Sequence, residues 1–464
     1  MANVVSKAIS IDMTTGSILP RLLLTALPLM ASNVLQLLFN AADVIVVGNF
    51  ANEHSLAAVG STGALVNLIT NLFVGLSIGA NAVSSYYFGA RNDAKLSRTV
   101  HCSFLLSLVG GAILTVVGVG CAKTFLEWMQ TPEEVLGLAS TYLKIYFLGS
   151  VPVLIFNFGS ALLRSKGDTK HPLYYLAATG VVNVVLNLVF VIVFKMDVAG
   201  VALATIISQA GCAWLVTRRL MRESDAFKLE WNRVFRWDSD VIGEIMRSGV
   251  PAGVQGIVFS LSNVVIQSSI NSFGPIAMAG SAAAQNVEGF VWVAMYSFSQ
   301  TVLTFVGQNV GARKYDRVTK IMFTTLACTC VTGVVLGNFC SIFGEWLARI
   351  YDTRPEVVAS AVTRFHVVCR YYCICGLMDA MVGVIRGMGV SVTPTAVSLL
   401  GACGLRLAWI FTVFQLDQFH TEHMLYLSYP ISWAITFVAH FACYVYFKRR
   451  LTRGATRTPC VEGI

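Results

Sequence analysis

The sequence predicts an all-α membrane protein: twelve transmembrane helices in two parallel six-helix repeats. Three observations carry that prediction. The 464-residue chain is 56% hydrophobic and only 12% charged, against roughly 25% charged residues in a soluble protein. Apolar runs recur along its length, each near the roughly 20 residues that cross a bilayer. The chain also repeats itself. Phe88-Gly89-Ala90-Arg91 returns as Val310-Gly311-Ala312-Arg313, and Arg164-Ser165-Lys166-Gly167 with Pro172 returns as Arg386-Gly387-Met388-Gly389 with Pro394. From Phe88 to Val310 and from Arg164 to Arg386 the offset is 222 residues each time.

In chain order, the apolar runs place spans at 18–48, 54–83, 99–121, 134–162, 171–194 and 198–217 in the first half. The second half follows with 244–270, 276–306, 321–344, 358–385, 394–415 and 424–447. Residues 1–218 are therefore read as one lobe, 219–240 as a cytoplasmic linker, 241–450 as a second lobe and 451–464 as a cytoplasmic tail. Six spans is an even number, so both halves enter the membrane with the same orientation. They are parallel repeats about an axis along the membrane normal, an arrangement found in secondary transporters that rock around a site between two halves.

Basic residues set the orientation. With the N-terminus inside, Lys7 and Arg21, then Arg91, Lys95 and Arg98, then Arg164, Lys166 and Lys170 fall on inner segments. The linker and its immediate flanks add Arg218, Arg219, Arg222, Lys228, Arg233, Arg236 and Arg247. Arg313, Lys314, Arg317 and Lys320, then Arg386, then Lys448, Arg449, Arg450, Arg453 and Arg457 follow on the same side. Most of the 33 Lys and Arg are thereby inside, which puts both termini in the cytoplasm of a multi-pass cell-membrane protein. The net charge of +9 is explained by topology, so nucleic acid is not expected as a partner. Residues 1–17 are polar and show no signal peptide.

Enzyme chemistry and metal binding are not expected. There is no HExxH, no Gly-rich nucleotide loop and no Ser/His/Asp constellation. Cys328-Thr329-Cys330 and Cys373-Ile374-Cys375 lack zinc spacing, and the cysteines read as small buried hydrophobes. His366 and His440 read as packing histidines.

Charge inside a membrane is costly, so each instance needs an account. Asp43 lies in the first span, about 9 Å below the outer surface when counted at the helical rise. Asn187 on span five and Thr205 on span six each lie about 12 Å deep. Asn183 is one turn from Asn187 on the same face. Three helices thus bring polar side chains to one depth. Asn and Thr can hydrogen-bond a carboxylate in either protonation state, so the functional reading is a proton site. The structural reading is a hydrogen-bond cluster. Pro28 removes a backbone hydrogen bond and permits a kink, making it a candidate hinge.

Asp43 with Pro28, the Asn183/Asn187 pair, Thr205 in Gly200-Val201-Ala202-Leu203-Ala204-Thr205, and the duplicated loop motifs together resemble the multidrug and toxic compound extrusion (MATE) family. The pattern is most similar to its DNA-damage-inducible-like bacterial branch and covers about residues 17 to 448. The resemblance implies a V-shaped pair of lobes and a bacterial inner-membrane location. It also implies an antiporter that exports organic cations or drugs. In that branch the first-span Asp works with polar groups on spans five and six, which map to Asp43, Asn183, Asn187 and Thr205. Where several proton-coupled members have Asp on span five, this chain has Asn187, leaving one titratable group.

The second half offers Glu288, Trp292 and Tyr296 at i, i+4 and i+8 on span eight. A carboxylate above two aromatic rings suits an organic cation; packing against lipid or a neighbouring helix is the alternative. Asp379 on span ten is read either as a structural pair with Arg406 on span eleven or as a substrate or ion ligand. Arg364 counts to about 33 Å from Arg386, near the outer surface, where it can snorkel. The family's sodium-coupled members use acids on spans seven and ten, and span seven here has Gln255 and Asn263 but no acid.

The expectation is a cofactor-free monomer in the lipid bilayer, coupled to H+ or alternatively Na+. Outside protons would load Asp43, bend the first helix and release substrate outward. A flippase for a lipid-linked precursor is the rival, kept open by Arg370 and Arg406.

Overall fold

The computed structural model describes residues 11–50 and 53–454. Lys7, Arg457 and most of the predicted tail lie outside them. The described residues contain no strand. Six helical stretches come from the first half: α1 Ile18–Phe50, α2 Glu53–Gly89, α3 Asp93–Trp128, the pair α4 Glu133–Leu148 and α5 Ser150–Ser165, α6 Lys170–Leu188 and α7 Asp197–Met221. A single turn, α8 Trp231–Val234, sits in the connector. The second half gives α9 Ser239–Asn271, α10 Pro275–Gly311, α11 Tyr315–Ile342 and short α12 Gly344–Arg349. It continues with α13 Pro355–Val367, α14 Tyr372–Gly387, α15 Val392–Ser398, α16 Leu405–Phe411 and α17 Glu422–Gly454.

Ten described stretches are long and apolar enough to cross a membrane, and the pair α4–α5 makes eleven. The 37-residue α2 occupies the twelfth predicted position. The predicted spans are not all smooth rods. Span four bends by 48° at Gly149, where Pro152 in the next turn lacks the N–H that a continuous helix would use. Span five ends in a π-helical turn, Val189–Val193, and span eleven carries another, Leu399–Gly404. Span ten is two helices joined by a 3-10 turn at Cys369–Tyr371.

The chain divides into two compact units, one built mainly from Leu27–Val254, the other from Met13–Ala26 with the chain from Gln255 onward. The division therefore does not fall in the connector 219–240. It cuts α1 and α9, and each of these helices gives one end to each unit. Both cuts lie beside an internal proline, Pro28 in α1 and Pro251 in α9. Loop position alone cannot reveal a helix shared in this way.

In the first unit, α5 packs on α2, α3 and α7. The connector is not a loose polar tether, because Phe227, Leu229 and Val234 are buried with Phe104, Leu162 and Leu220. Lys166, an inner-loop residue by sequence, is only 3% exposed. Its Nζ lies 2.7 Å from Glu223 and 2.5 Å from Asp225, and Arg219 lies 3.0 Å from Glu223. These ion pairs dock the connector onto the loop after α5.

In the second unit, α10 is central and packs on α11, α13 and α14. Buried Met295, Phe365, Tyr372 and Trp433 belong to its core. The start of the chain is fastened here. Met13 donates its backbone N–H to Gln308 at 3.1 Å, and Asn309 donates to the Met13 carbonyl at 3.0 Å. Lys314 and Arg317 donate to the carbonyls of Thr14, Thr15 and Gly16.

Gly75 and Gly79 on α2 face Gly249 and Gly253 on α9, four residues apart on each helix. A Cβ on Gly75 would lie 2.2 Å from the backbone nitrogen of Gly253, and one on Gly79 would lie 2.5 Å from the Ile245 carbonyl. Small residues at this spacing let helix backbones meet in a membrane. Gly75→Val is expected to destabilise the protein by about 1–3 kcal/mol or more, since a backbone cannot retreat as a side chain can. The thermal midpoint in detergent should fall for Gly75→Val. It should hold for Gly60→Ala on the same helix, where an added Cβ meets nothing within 4 Å.

Candidate ion and substrate sites

The structure gathers the four first-half residues into a closed ring. Asn187 donates its Nδ2 to Asp43 Oδ1 at 2.5 Å and to Asn183 Oδ1 at 3.3 Å. Asn183 Nδ2 lies 3.5 Å from Thr205 Oγ1, and Thr205 Oγ1 lies 3.4 Å from Asp43 Oδ2. Asp43 comes from α1, the two asparagines from α6 and Thr205 from α7. The i, i+4 spacing of Asn183 and Asn187 puts both amides on one helix face. Thr205 has a single hydroxyl hydrogen and also lies 3.0 Å from the Val201 carbonyl, so its bond to Asp43 competes with a backbone bond.

Asp43 is 9% exposed, Asn183 5% and Asn187 fully buried. Asn187 Oδ1 has no hydrogen-bond partner. Turning that amide over would offer an acceptor to a protonated Asp43 in place of the donor it offers the carboxylate. The ring thus holds one ionisable group among neutral partners that suit either of its protonation states. Tyr142 and Tyr146, stacked with centroids 6.1 Å apart, lie within electrostatic reach of Asp43. Pro28 does not interrupt α1, which runs unbroken from Ile18 to Phe50; its carbonyl accepts from Ser32 Oγ at 2.9 Å.

The second-half expectations need correction. Glu288 is not presented above the Trp292 and Tyr296 rings. It is buried and paired in bidentate fashion with Arg364, whose Nε and Nη2 donate to its two oxygens at 2.7 and 2.8 Å. Arg364 does not snorkel outward. It is 3% exposed, donates further to Ser281 at 3.0 Å and lies over the rings of Tyr426 and Tyr429. A guanidinium so engaged neutralises the Glu288 carboxylate, which then offers a cation no net negative charge. The two aromatics form a unit of their own, stacked 4.9 Å apart at 16°, with Gln300 donating to Tyr296 Oη at 2.6 Å.

Asp379 and Arg406 do not pair. Arg406 donates to Ser432 at 3.0 Å and lies 4.4 Å from the Tyr429 ring centroid and 5.6 Å from that of Trp433. Aromatic faces replace the expected carboxylate, which cation–π attraction permits for a desolvated arginine. The Asp379 carboxylate feels Arg386 and Arg406 at longer range and makes no ion pair among the described residues.

Arg386, seen in the sequence only as a loop-motif residue, donates instead to Gln255 at 2.7 Å and Thr395 at 3.2 Å. No local spacing signals this triad, which joins α9, α14 and α15. His440 is buried and sits as a packing residue against Ser398 at 3.1 Å, whereas His366 is exposed and hydrogen-bonds Ser341 at 2.8 Å. No cluster of three metal-ligating side chains occurs among the described residues.

The MatE family profile matches residues 28–189 and again 251–412, more than half of the chain, and its two matches follow the internal repeat. The chain is similar to the probable multidrug resistance protein YpnP of Bacillus subtilis (strain 168), at 28% identity over 85% of this chain and 88% of the relative. It is similar also to the probable multidrug resistance protein NorM of Thermotoga maritima, at 25% identity over 85% of each chain. In fold it resembles a solved MOP superfamily transporter from Pyrococcus furiosus, with a TM-score of 0.89 and 17% identity over 96% of this chain and 99% of that one.

The Glu288–Arg364 geometry makes a prediction of its own. Arg364→Met leaves a buried carboxylate unpaired and should cost about 3–5 kcal/mol. Glu288→Gln combined with Arg364→Met removes both charges and should recover most of that loss. Thermal unfolding of the three variants in detergent checks this. A double variant no more stable than Arg364→Met would mean that the charges are not what couples the two positions.

Proposed function

The chain belongs to the MatE family, and from that membership we propose that it exports drug-like organic compounds across a bacterial cell membrane by ion-coupled antiport. It is a membrane transporter and not an enzyme. The observation that carries the coupling reading is the ring around Asp43, a single buried carboxylate closed by Asn183, Asn187 and Thr205.

A proton arriving on Asp43 turns one oxygen from acceptor to donor. Asn187 then has to present its carbonyl rather than its amide nitrogen, and Thr205 is freed to its backbone bond. Because Asp43 rides on α1 while its partners ride on α6 and α7, repartnering changes how α1 packs. Pro28, fifteen residues earlier, removes one backbone restraint on such a movement. Substrate release outward and proton release inward complete the cycle. Exchange of one monovalent cation for one proton moves no net charge, so the pH gradient drives it.

For the substrate, the stacked Trp292 and Tyr296 are the favoured contact, since a flat organic cation gains about 0.5–2 kcal/mol per aromatic face. Asp379 supplies negative charge in the same unit. Glu288, held by Arg364, is a structural group in this reading. Sodium coupling is a second reading, since Asp379 makes no ion pair among the described residues and its carboxylate suits a metal cation. The names of the multidrug relatives favour drug export over movement of a lipid-linked precursor. Positive charge on inner segments supports cytoplasmic termini, and the protein is taken to act as a monomer.

Ethidium efflux from proteoliposomes tests the coupling. Under an imposed pH gradient the wild type should export, and Asp43→Asn should fall to the rate of empty liposomes while its thermal midpoint in detergent stays close to wild type. Sodium-driven efflux that survives Asp43→Asn would overturn the ring as the coupling site and move the ion to the second unit.

A further inference from the structure

Two basic runs that are far apart in sequence meet at one rim of the second unit. Arg313, Lys314, Arg317 and Lys320 belong to the turn before α11 and its first turns; Lys448, Arg449 and Arg450 close α17. A cavity of about 480 Å³ lies at this rim, lined by the four basic residues of the first run and by Thr452 from α17, with Asp316 the one acid. A second hollow of about 310 Å³ adjoins it through Thr452. Its walls include Met322, Phe323, Phe441, Tyr444 and Val445, with Lys448 and Arg449 at its edge. Phe323 is one turn beyond Lys320 on α11 and is 56% exposed.

The basic groups have different occupations. Lys314 and Arg317 hold the carbonyls of Thr14, Thr15 and Gly16, and Lys448 donates to Thr319. Arg313, Lys320 and Arg449 are exposed and have no carboxylate in ion-pair contact among the described residues. Of these uncommitted cations, Arg313 and Lys320 line the basic cavity and Arg449 lines the adjoining hollow, whose apolar walls come from two membrane-spanning helices.

We propose that this rim is a binding site for an anionic phospholipid. Its phosphate sits among Arg313, Lys320 and Arg449, and one acyl chain lies along Phe323, Phe441 and Tyr444. Positive charge alone would accept any phosphate. The adjoining apolar hollow selects a phosphate carried on a chain, and basic residues at the ends of membrane-spanning helices are the ones the positive-inside pattern sets beside lipid headgroups. Basic pockets between transmembrane helices bind anionic headgroups by this combination of charge and depth. The site is separate from the Asp43 ring and does not depend on which ion drives transport.

Native mass spectrometry of the full-length protein in detergent tests the proposal, with phosphatidylglycerol and phosphatidylcholine of identical acyl chains added in turn. Phosphatidylglycerol should be retained roughly fivefold or more over phosphatidylcholine, the factor expected from about one charge contact at a membrane surface. Lys320→Gln with Arg449→Gln should abolish the preference, while Phe323→Ser should lower retention of both lipids. Thermal midpoints in lipid-free detergent identify any variant that has merely misfolded; Lys320→Gln alone then gives the same readout with a smaller loss. Equal retention of the two lipids by the wild type, or an undiminished preference in the folded double variant, overturns the proposal. Displacement of phosphatidylglycerol by millimolar inorganic phosphate would overturn it too, by showing a soluble-anion site.

Discussion

Hydrocarbon does not tolerate an unanswered charge, and the interior of this protein is arranged around that constraint. Four ionisable side chains placed between membrane-spanning helices are each met in a different way, while Asp379 makes no ion pair among the described residues and feels Arg386 and Arg406 only at longer range. Asp43 is met by neutral amides and a hydroxyl, Glu288 by a bidentate guanidinium, Arg386 by an amide oxygen and a hydroxyl, and Arg406 by a hydroxyl and aromatic faces. The differences have mechanical meaning. A bidentate ion pair between α10 and α13 resists change, because separating it strands two charges. A carboxylate ringed by neutral groups can gain or lose its own charge without stranding another. The first unit therefore holds the group suited to cycling, and the second holds the more permanent fastening.

This division falls between two halves that descend from one pattern. Their loop motifs return at a fixed offset, and one family profile matches each half. Their polar chemistry has nevertheless diverged. Arg364 and Glu288 form a pair in the second unit alone, and the Asn183/Asn187 face of α6 has Arg406 beside it by offset in the second half. Shared backbone architecture thus carries unshared interior polarity: a carboxylate among neutral groups in one unit and a buried ion pair in the other.

Much of this was legible from residues alone. The apolar runs located the spans, and the charge asymmetry arranged them. The Asp43 ring could be anticipated because depth along a helix is readable: three residues from three helices counted to nearly the same level. Glu288 and Arg364 failed the same treatment for a physical reason. Arg364 was counted back from Arg386 as though span ten were one straight helix, whereas Cys369–Tyr371 breaks it, and rotation about a helix axis is not fixed by depth. Asp379 and Arg406 lie on neighbouring spans in sequence, but span order does not fix the rotamers of long side chains, and Arg406 turns to Ser432 and aromatic faces instead. The connector's burial was hidden because Lys166, Glu223 and Asp225 read as ordinary surface charges until folding brings them together.

The fastening of Met13 bears on how the chain comes to be built. Its backbone is gripped by Gln308 and Asn309, and Met13 and Gln308 are 295 residues apart in sequence. At a synthesis rate of about 5–20 residues per second, the grip arrives roughly 15–60 seconds after Met13 has left the ribosome. Until then the first turns of α1 have no home in their own unit, while the remainder of that helix can already join the bundle around Asp43. Assembly of the second unit therefore reaches back to finish the first helix made, and the start of α1 settles only once α10 exists.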